Sequence, residues 1–284
     1  MRIGIIGCGL IGGSMAALFK KYMADVYITG IDPHTAAFKA TVAGAAFDDY
    51  VASIADVPTP PDLLVIASPI DTVLGVIDQA TKKWPSSLRI MELSSVKSFL
   101  KHPIVATSHH TIGFAHPMGG RDVSGLAHAD ASVLDGCPMI VCSSDAWLHD
   151  LCEQCGFSII PCPSLEVHDE WMAAASHGPY IAASVLPHAL RHIPESTASA
   201  LGRVIAGGFR DTTRVCNSPT AWGRDVITHN AVPLRPLIDA MIDSLQQLKT
   251  AMDHRPADLQ QWVMDAKATR SRLMDAAASQ GRVV

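Results

Sequence analysis

Up to Pro163, apolar residues fall in short unbroken runs separated by turn residues, and from Ser164 onward they recur at helical spacing. The runs Ile3 to Ile6, Val26 to Ile31, Leu63 to Ala67, Leu88 to Glu92, Ile112 to Ala115, Met139 to Cys142 and Phe157 to Ile160 predict strands, and Leu63 to Ala67 has the continuous apolarity expected of a parallel strand covered on both faces. Helices are predicted between them from about His34 to Val42, from Asp71 to Lys83 with Asp71 or Thr72 near its cap, and from about Ser144 to Cys155. The stretch before Val57 is weakly marked, and Pro58, Pro60 and Pro61 make a loop. Strands alternating with helices predict a doubly wound α/β domain over residues 1–163. Helical patterns at Leu165 to Arg191, Ser196 to Val215, Pro219 to Thr228, Val232 to Met252 and Pro256 to Ala278 then predict an all-α second domain over residues 164–284. Pro161 and Pro163 mark the junction, and no internal repeat or low-complexity tract interrupts either half.

The first strand runs straight into Gly7-Cys8-Gly9-Leu10-Ile11-Gly12-Gly13-Ser14, a G-x-G-x-x-G turn that opens a helix. Gly7 allows the tight turn, Gly9 leaves the backbone bare for a pyrophosphate, and Gly12 lets the helix pack closely on its strand. The amides of Leu10 and Ile11 stand at the helix start, where free N–H groups face an anion. Asp32 ends the second strand about twenty residues after the last glycine of the fingerprint, where an acid holds a ribose 2′-hydroxyl. Strand, glycines, helix, strand and acid in this order predict a Rossmann-type dinucleotide-binding unit. Asp32 would repel a 2′-phosphate and Pro33-His34 brings no arginine beside it, so NAD is expected over NADP.

Composition narrows the class further. The 284 residues are 48% hydrophobic and 17% charged, enough for two domains with large cores. A net charge of −5, with no run of basic residues, argues against a nucleic-acid partner. No apolar stretch is long enough to span a membrane, and a cytoplasmic protein is expected. Seven cysteines, an odd number without secretion signals, read as reduced thiols. His149, Cys152, Cys155 and Cys162 form the one cluster with metal-ligand chemistry, but the first three lie three apart on a helix rather than on a knuckle turn, so buried thiols and no metal are expected.

Chemistry is expected at the carboxyl edge of the sheet. Ser68 and Pro69, between a strand and a helix, suit a loop lying against a cofactor, and Leu93-Ser94-Ser95-Val96-Lys97 reaches the same edge. His116, followed by Pro117 and by Gly119-Gly120, reads as a loop histidine with open space beside it, placed to act as a general base. In the helical half, Leu234, Leu237, Ile238, Met241, Ile242, Leu245 and Leu248 line one face and need more partners than a short bundle offers, which predicts a homodimer.

Taken together, Gly7 to Ser14, Ser94-Ser95-Val96-Lys97, Phe114 to Gly120, Ser176-His177-Gly178-Pro179 and Gly208-Phe209-Arg210-Asp211-Thr212-Thr213-Arg214 occur in an order that resembles the prephenate/arogenate dehydrogenase family of tyrosine biosynthesis. The resemblance spans residues 3 to about 230, and the remainder looks like the family's helical dimerisation region. It implies an NAD-dependent oxidative decarboxylation of a cyclohexadienyl acid, driven by aromatisation. His116 then takes the hydrogen bond and finally the proton of the ring hydroxyl. Ser95 sits near the nicotinamide and orients His116, with a helix N-cap as its plainer role. Ser94, Ser68 and Pro69 line the cofactor.

In the same resemblance Arg214 receives a substrate carboxylate in its guanidinium fork, although Asp211 and Arg210, three and four residues earlier, offer an ordinary ion-pair ladder instead. Trp222 falls where the family often carries an aromatic beside the substrate, with core packing as the alternative. One departure stands out. The family usually has a second histidine after S-H-x-P, whereas this chain continues Ser176-His177-Gly178-Pro179-Tyr180. His177 and Tyr180 share a helical face beside the substrate tail, and a tyrosine cannot become a cation, so prephenate with its keto acid tail and arogenate with its amino acid tail both stay open, prephenate being favoured. No fused chorismate mutase or regulatory domain is expected, and feedback control would act at the active site or through a partner. Two rivals remain. A β-hydroxyacid dehydrogenase or imine reductase shares the two-domain plan, but the former relies on a second-domain lysine and this chain has none between Lys101 and Lys249. A non-catalytic NAD-binding module would have no use for His116, Ser95 and Arg214 together.

Overall fold

The computed structural model describes residues 1–34, 46–254 and 256–279, the side chains at 254, 256 and 257 excepted. The helix expected from about His34 to Val42 therefore lies outside the described residues. Eight strands form one sheet: β1 (Arg2–Ile6), β2 (Tyr27–Ile31), β3 (Asp49–Val51), β4 (Leu63–Ile66), β5 (Arg89–Glu92), β6 (Thr111–Pro117), β7 (Pro138–Val141) and β8 (Ser158–Pro161). Their order is β3-β2-β1-β4-β5-β6-β7-β8, and every pairing is parallel except β6 with β7.

The period of two along each strand sends alternate side chains to opposite faces. Ile3, Ile5, Leu63 and Val65 pack with Met15, Leu18 and Phe19 of α1 (Leu10–Tyr22), while Ile6, Leu64 and Ile66 pack with Val73, Ile77 and Ala80 of α2 (Ile70–Lys83). Both faces are thus covered, as the unbroken apolar runs require. The short helix α3 (Pro103–Thr107) packs on the α2 face and α4 (Ala146–Gln154) on the α1 face.

Then follow α5 (Leu165–Met172), a π turn at Ala173–His177, α6 (Gly178–Ala189), α7 (Glu195–Gly202), α8 (Gly207–Thr213) and α9 (Thr220–His229). Ser164 starts this run by accepting the Val167 amide at 3.2 Å. By contact the chain forms two compact units, Met1–Leu234 and Arg235–Val284. The second holds most of α10 (Ala231–His254) together with α11 (Pro256–Ser279), where the Trp262 indole donates to Ser244 Oγ at 3.2 Å. Within the apolar stripe Leu237, Ile238, Met241 and Leu248 are half-buried, while Ile242 and Leu245 remain 47% and 59% exposed.

Several expectations need correcting. β3 was not foreseen, because a three-residue strand carries too little alternation to register. The α2 N-cap is Pro69 without a side-chain cap; Thr72 donates to the Pro69 carbonyl at 2.7 Å and to Ser68 Oγ at 2.8 Å, and Asp71 is held by His229 at 2.8 Å. The helix expected at Ser196 to Val215 breaks between α7 and α8. His116 and Pro117 lie on β6 itself and not in a loop, since His116 pairs with Ile140 of β7.

Gly12 is fixed by space. A Cβ there would come within 2.0 Å of the Gly7 carbonyl oxygen, backbone that cannot yield, whereas Gly75, exposed on α2, meets nothing within 4 Å. Gly12→Ala is expected to destabilise by at least about 2 kcal/mol and lower the melting midpoint by roughly 4–8 °C. Gly75→Ala should raise it slightly, by about 0.4–1 kcal/mol of stability. Thermal melts followed by circular dichroism check both; a Gly12 variant as stable as the Gly75 variant would contradict the packing described.

Candidate active site

The glycine turn has the shape a dinucleotide needs. Gly7 has φ of +85°, and a Cβ on it would strike Ala67 and Ser68 backbone at 2.7 Å, whereas Gly9 opens onto space with no heavy atom within 4 Å. Leu10 and Ile11 begin α1, so their amides lack intrahelical partners. Asp32, at the end of β2, reaches back over this turn: its Oδ2 accepts the Cys8 amide at 3.0 Å and its Oδ1 the His34 amide at 3.0 Å. Ser68 and Pro69 flank the turn at the end of β4, and Ser68 Oγ accepts from Thr72. Ser94 is spent internally, since its amide donates to Glu92 Oε1 at 2.6 Å and its hydroxyl to the Val96 carbonyl at 2.7 Å.

Further along the same edge, alternation on β6 buries Gly113, Ala115 and Pro117 on one face and brings His116 out half-buried on the other, with Ile112 and Phe114. Its Nδ1 lies 2.9 Å from Nε2 of His168, on α5, and His168 Nδ1 lies 2.8 Å from Asp169 Oδ1. Among the described residues, His116 Nε2 makes no hydrogen bond. Asp169 also accepts the backbone amides of Lys97 at 2.8 Å and Ser98 at 2.7 Å. The Lys97 ammonium is fully buried and donates to Glu92 Oε2 at 2.5 Å and to the Ala115 carbonyl at 2.8 Å.

A second histidine mirrors the first. His177, in the π turn, is fully buried, and its Nδ1 meets Asn230 Nδ2 at 2.9 Å; the same amide nitrogen donates to the Asp169 carbonyl at 3.0 Å. An amide N–H can only donate, so His177 Nδ1 accepts and its proton sits on Nε2, a buried donor without a partner. The ring of Trp222 stands edge-on to both His177 and Tyr180, at 5.9 Å and 5.2 Å between centroids, and its indole donates to Ser95 Oγ at 3.3 Å. Gly223 makes room for Tyr180, whose hydroxyl would lie 2.2 Å from a Cβ there.

The structure therefore brings together Ser95, Trp222, His177 and Tyr180. The hydrogen bond of His116 goes to His168 and not to Ser95, and Ser95 is no helix cap, because the short turn Ser98–Leu100 is preceded by Lys97. Arg214 joins none of these bonds. It pairs with Asp122 Oδ2 at 2.9 Å, while Asp211 takes Arg210, and it lines a cavity of about 380 Å³ with Pro187, Ile205, Phe209 and Arg210, to which His116 does not contribute. His168, Asp169 and Asn230 were missed from the sequence. The available signal was a polar His-Asp pair on a helix otherwise marked by Leu165 and Met172. Cys152, Cys155 and Cys162 are buried, and among the described residues no cluster could hold a metal ion.

Burial sets the charge state. It drives His116 well below its usual pKa, with His168 and Lys97 adding to the effect. It lowers His168 too, against the pull of Asp169, and pushes His177 down to about 4. For Asp169 burial works upward, but the bonds from His168, Ser98 and Lys97 outweigh it and hold the carboxyl low.

A glycine-cradled nucleotide turn beside a neutral histidine at the sheet edge defines the class, a dinucleotide-dependent oxidoreductase. The chain belongs to the prephenate dehydrogenase family: residues 15–154 match its nucleotide-binding domain and residues 164–264 its dimerization domain. It is 29% identical over 266 residues to a cyclohexadienyl dehydrogenase of Zymomonas mobilis, covering 90% of each chain. The fold is that of prephenate dehydrogenase from Aquifex aeolicus in complex with hydroxyphenyl propionate and NAD+ (TM-score 0.85, 22% identity, 96% and 98% of the two chains covered). It is also that of Synechocystis arogenate dehydrogenase (TM-score 0.76, 22% identity, 96% and 100% covered). No helix among the described residues is long and apolar enough to cross a membrane.

The depressed histidines make stability fall in mild acid. Above about pH 6.5 both states are neutral; below it the unfolded chain takes up protons that the folded chain refuses. For His177 the loss runs to about 1.4 kcal/mol per pH unit down to about pH 4. Urea unfolding at pH 7 and pH 5 should show His177→Asn with about 2 kcal/mol less pH dependence than the wild type. An unchanged dependence would mean His177 is protonated in the folded protein.

Proposed function

We propose that this chain carries out the NAD-dependent oxidative decarboxylation of prephenate to 4-hydroxyphenylpyruvate in tyrosine biosynthesis. The observation that carries the reading is His116, a neutral imidazole at the carboxyl edge of the sheet whose Nδ1 is engaged and whose Nε2 is not. The cradle fits NAD: Gly9 leaves the backbone bare, Gly7 and Gly12 hold the turn, and Asp32 offers a carboxylate where an adenosine ribose would lie, paired with no lysine or arginine among the described residues. Leu10, Ile11, Ser68, Pro69 and Ser94 are the remaining residues assigned to that cradle. Bound NAD supplies the hydride acceptor. His116 Nε2 takes the proton of the ring hydroxyl as the carbon beneath it loses hydride; the bond to the ring carboxylate then breaks, carbon dioxide leaves, and its electron pair completes the aromatic ring and leaves a phenolate oxygen, which takes the proton back from His116.

The buried N–H of His177 is a donor for an acceptor on the substrate, and Trp222 and Tyr180 give the ring an edge-on wall. Ser95, bonded to Trp222, ties that wall to the strand end that faces the nicotinamide. Arg214 is assigned the carboxylate, which would displace Asp122 from its guanidinium. Arogenate is the second reading, favoured by Tyr180, which offers an uncharged hydroxyl where a histidine could carry charge. Residues 1–163 serve the nucleotide and residues 164–284 the substrate and the partner copy, and seven unpaired cysteines suit the cytoplasm.

Purified protein with NAD, offered prephenate and arogenate separately, should produce NADH absorbance with prephenate at the higher kcat/KM. His116→Asn should cut turnover by a factor on the order of 10² or more at nearly unchanged NAD affinity. Arg214→Gln should raise KM for the acid far more than for NAD. Wild-type protein inert toward both acids would refute the reading. A homodimer is proposed through the helical half, where Ile242 and Leu245 of α10 are exposed. Sedimentation at micromolar concentration should give twice the chain mass, and Leu245→Glu should shift it toward the monomer; a monomeric wild type would rule the interface out.

A further inference from the structure

We infer that Asp169 and His168 are positioning residues that fix the tautomer of His116, so that its bare Nε2 and not an N–H is presented to the reacting hydroxyl. The inference deepens the reading of His116 as the base and rests on it. A lone imidazole puts its proton on either nitrogen, and only one of the two forms can accept a proton from the substrate at Nε2. Something must choose.

The choice starts at Asp169. Its Oδ1 accepts the Lys97 amide at 2.8 Å and its Oδ2 the Ser98 amide at 2.7 Å, and an amide N–H can only donate. With both oxygens receiving backbone protons, the carboxylate has no proton of its own to give. His168 Nδ1, 2.8 Å from Oδ1, therefore carries the proton of that bond. His168 is fully buried, and at rest that burial outweighs the pull of the Asp169 carboxylate and leaves Nε2 of His168 bare, with Asp169 still in place to meet a charge that arrives from His116. A bare Nε2 is an acceptor, so the 2.9 Å contact is filled by a proton on His116 Nδ1. The remaining nitrogen of His116 is then the base.

The same chain handles the proton once it arrives. When the hydroxyl proton bonds to Nε2, His116 becomes a cation; passing its Nδ1 proton to His168 Nε2 makes His116 neutral again and places the positive charge on His168, directly against the Asp169 carboxylate. At His116 one N–H bond forms and one breaks; at His168 one forms while its Nδ1–H keeps donating to the Asp169 carboxylate. Reversal of that transfer returns the proton to His116 Nε2, which gives it to the phenolate oxygen created by decarboxylation, so the product leaves as the phenol and the site is reset. His177 cannot substitute, because Asn230 fixes it in the opposite tautomer, as a donor.

Nitrogen NMR of histidine-labelled protein, with His116 assigned by comparison with His116→Asn, reads the tautomer without any substrate. Expected is a protonated Nδ1 and a bare Nε2 on His116 at neutral pH; a protonated Nε2 would overturn the inference. In turnover, His168→Gln keeps an acceptor oxygen for His116 Nδ1 and should hold kcat within about tenfold, while His168→Leu should lose on the order of 10² in kcat at unchanged KM for NAD. Equal losses in the two variants would overturn the inference, since packing alone would then explain them. Wild-type protein with the stated tautomer but no turnover of prephenate or arogenate would refute the proposed activity and leave the tautomer assignment standing.

Discussion

Lys97 holds the carboxyl edge of the sheet together. Its ammonium and the Glu92 carboxylate are both fully buried, an arrangement that costs several kcal/mol per ion unless every polar atom is met. Here they are. The ammonium reaches Glu92 Oε2, the Glu92 carbonyl at 3.3 Å and the Ala115 carbonyl, while Glu92 Oε1 takes the Ser94 amide. One side chain thus ties the end of β5 to β6 one residue before His116, and the Lys97 backbone amide ties the same point to Asp169 on α5. Removing either partner of such a pair strands the other charge, at about 3–5 kcal/mol. The disposition of His116, His168 and Asp169 depends on that knot.

What was legible in the sequence followed from strong local constraints. The glycine turn, the parallel strands and Asp32 could be read because each needs a particular residue type at a particular spacing, and Gly7 and Gly12 occupy positions where a Cβ would strike backbone. The motif residues were visible through family resemblance, yet their partners were not. His168 and Asp169 lie more than fifty positions from His116, and only folding shows that α5 crosses the end of β6. Placing His116 in a loop was an error of local reading: Pro117 and the glycines after it look like a turn, but an antiparallel neighbour, β7, lets the strand continue through them.

The tyrosine at position 180 shows how a departure from a family pattern is accommodated. Its ring packs edge-on to Trp222, and its hydroxyl occupies space that Gly223 leaves free. A larger residue at 223 would push Tyr180 off Trp222, and Trp222 would then lose its hold on Ser95. Tyr180, Trp222 and Ser95 are therefore linked through direct contacts, and a change at position 223 reaches all three.

The π turn at Ala173–His177 sets the phase of the helix that carries the histidines. In an uninterrupted α-helix two residues nine apart point about 180° away from each other. His168 and His177 have that separation, and His177 is turned to meet Asn230, whose amide also holds the Asp169 carbonyl. The wide turn absorbs one residue of rotation, like a vernier, and swings the downstream histidine round by roughly a hundred degrees. The length of the segment between the two histidines is consequently a stricter requirement than its composition: alanines there are interchangeable with other small residues, but their number is not.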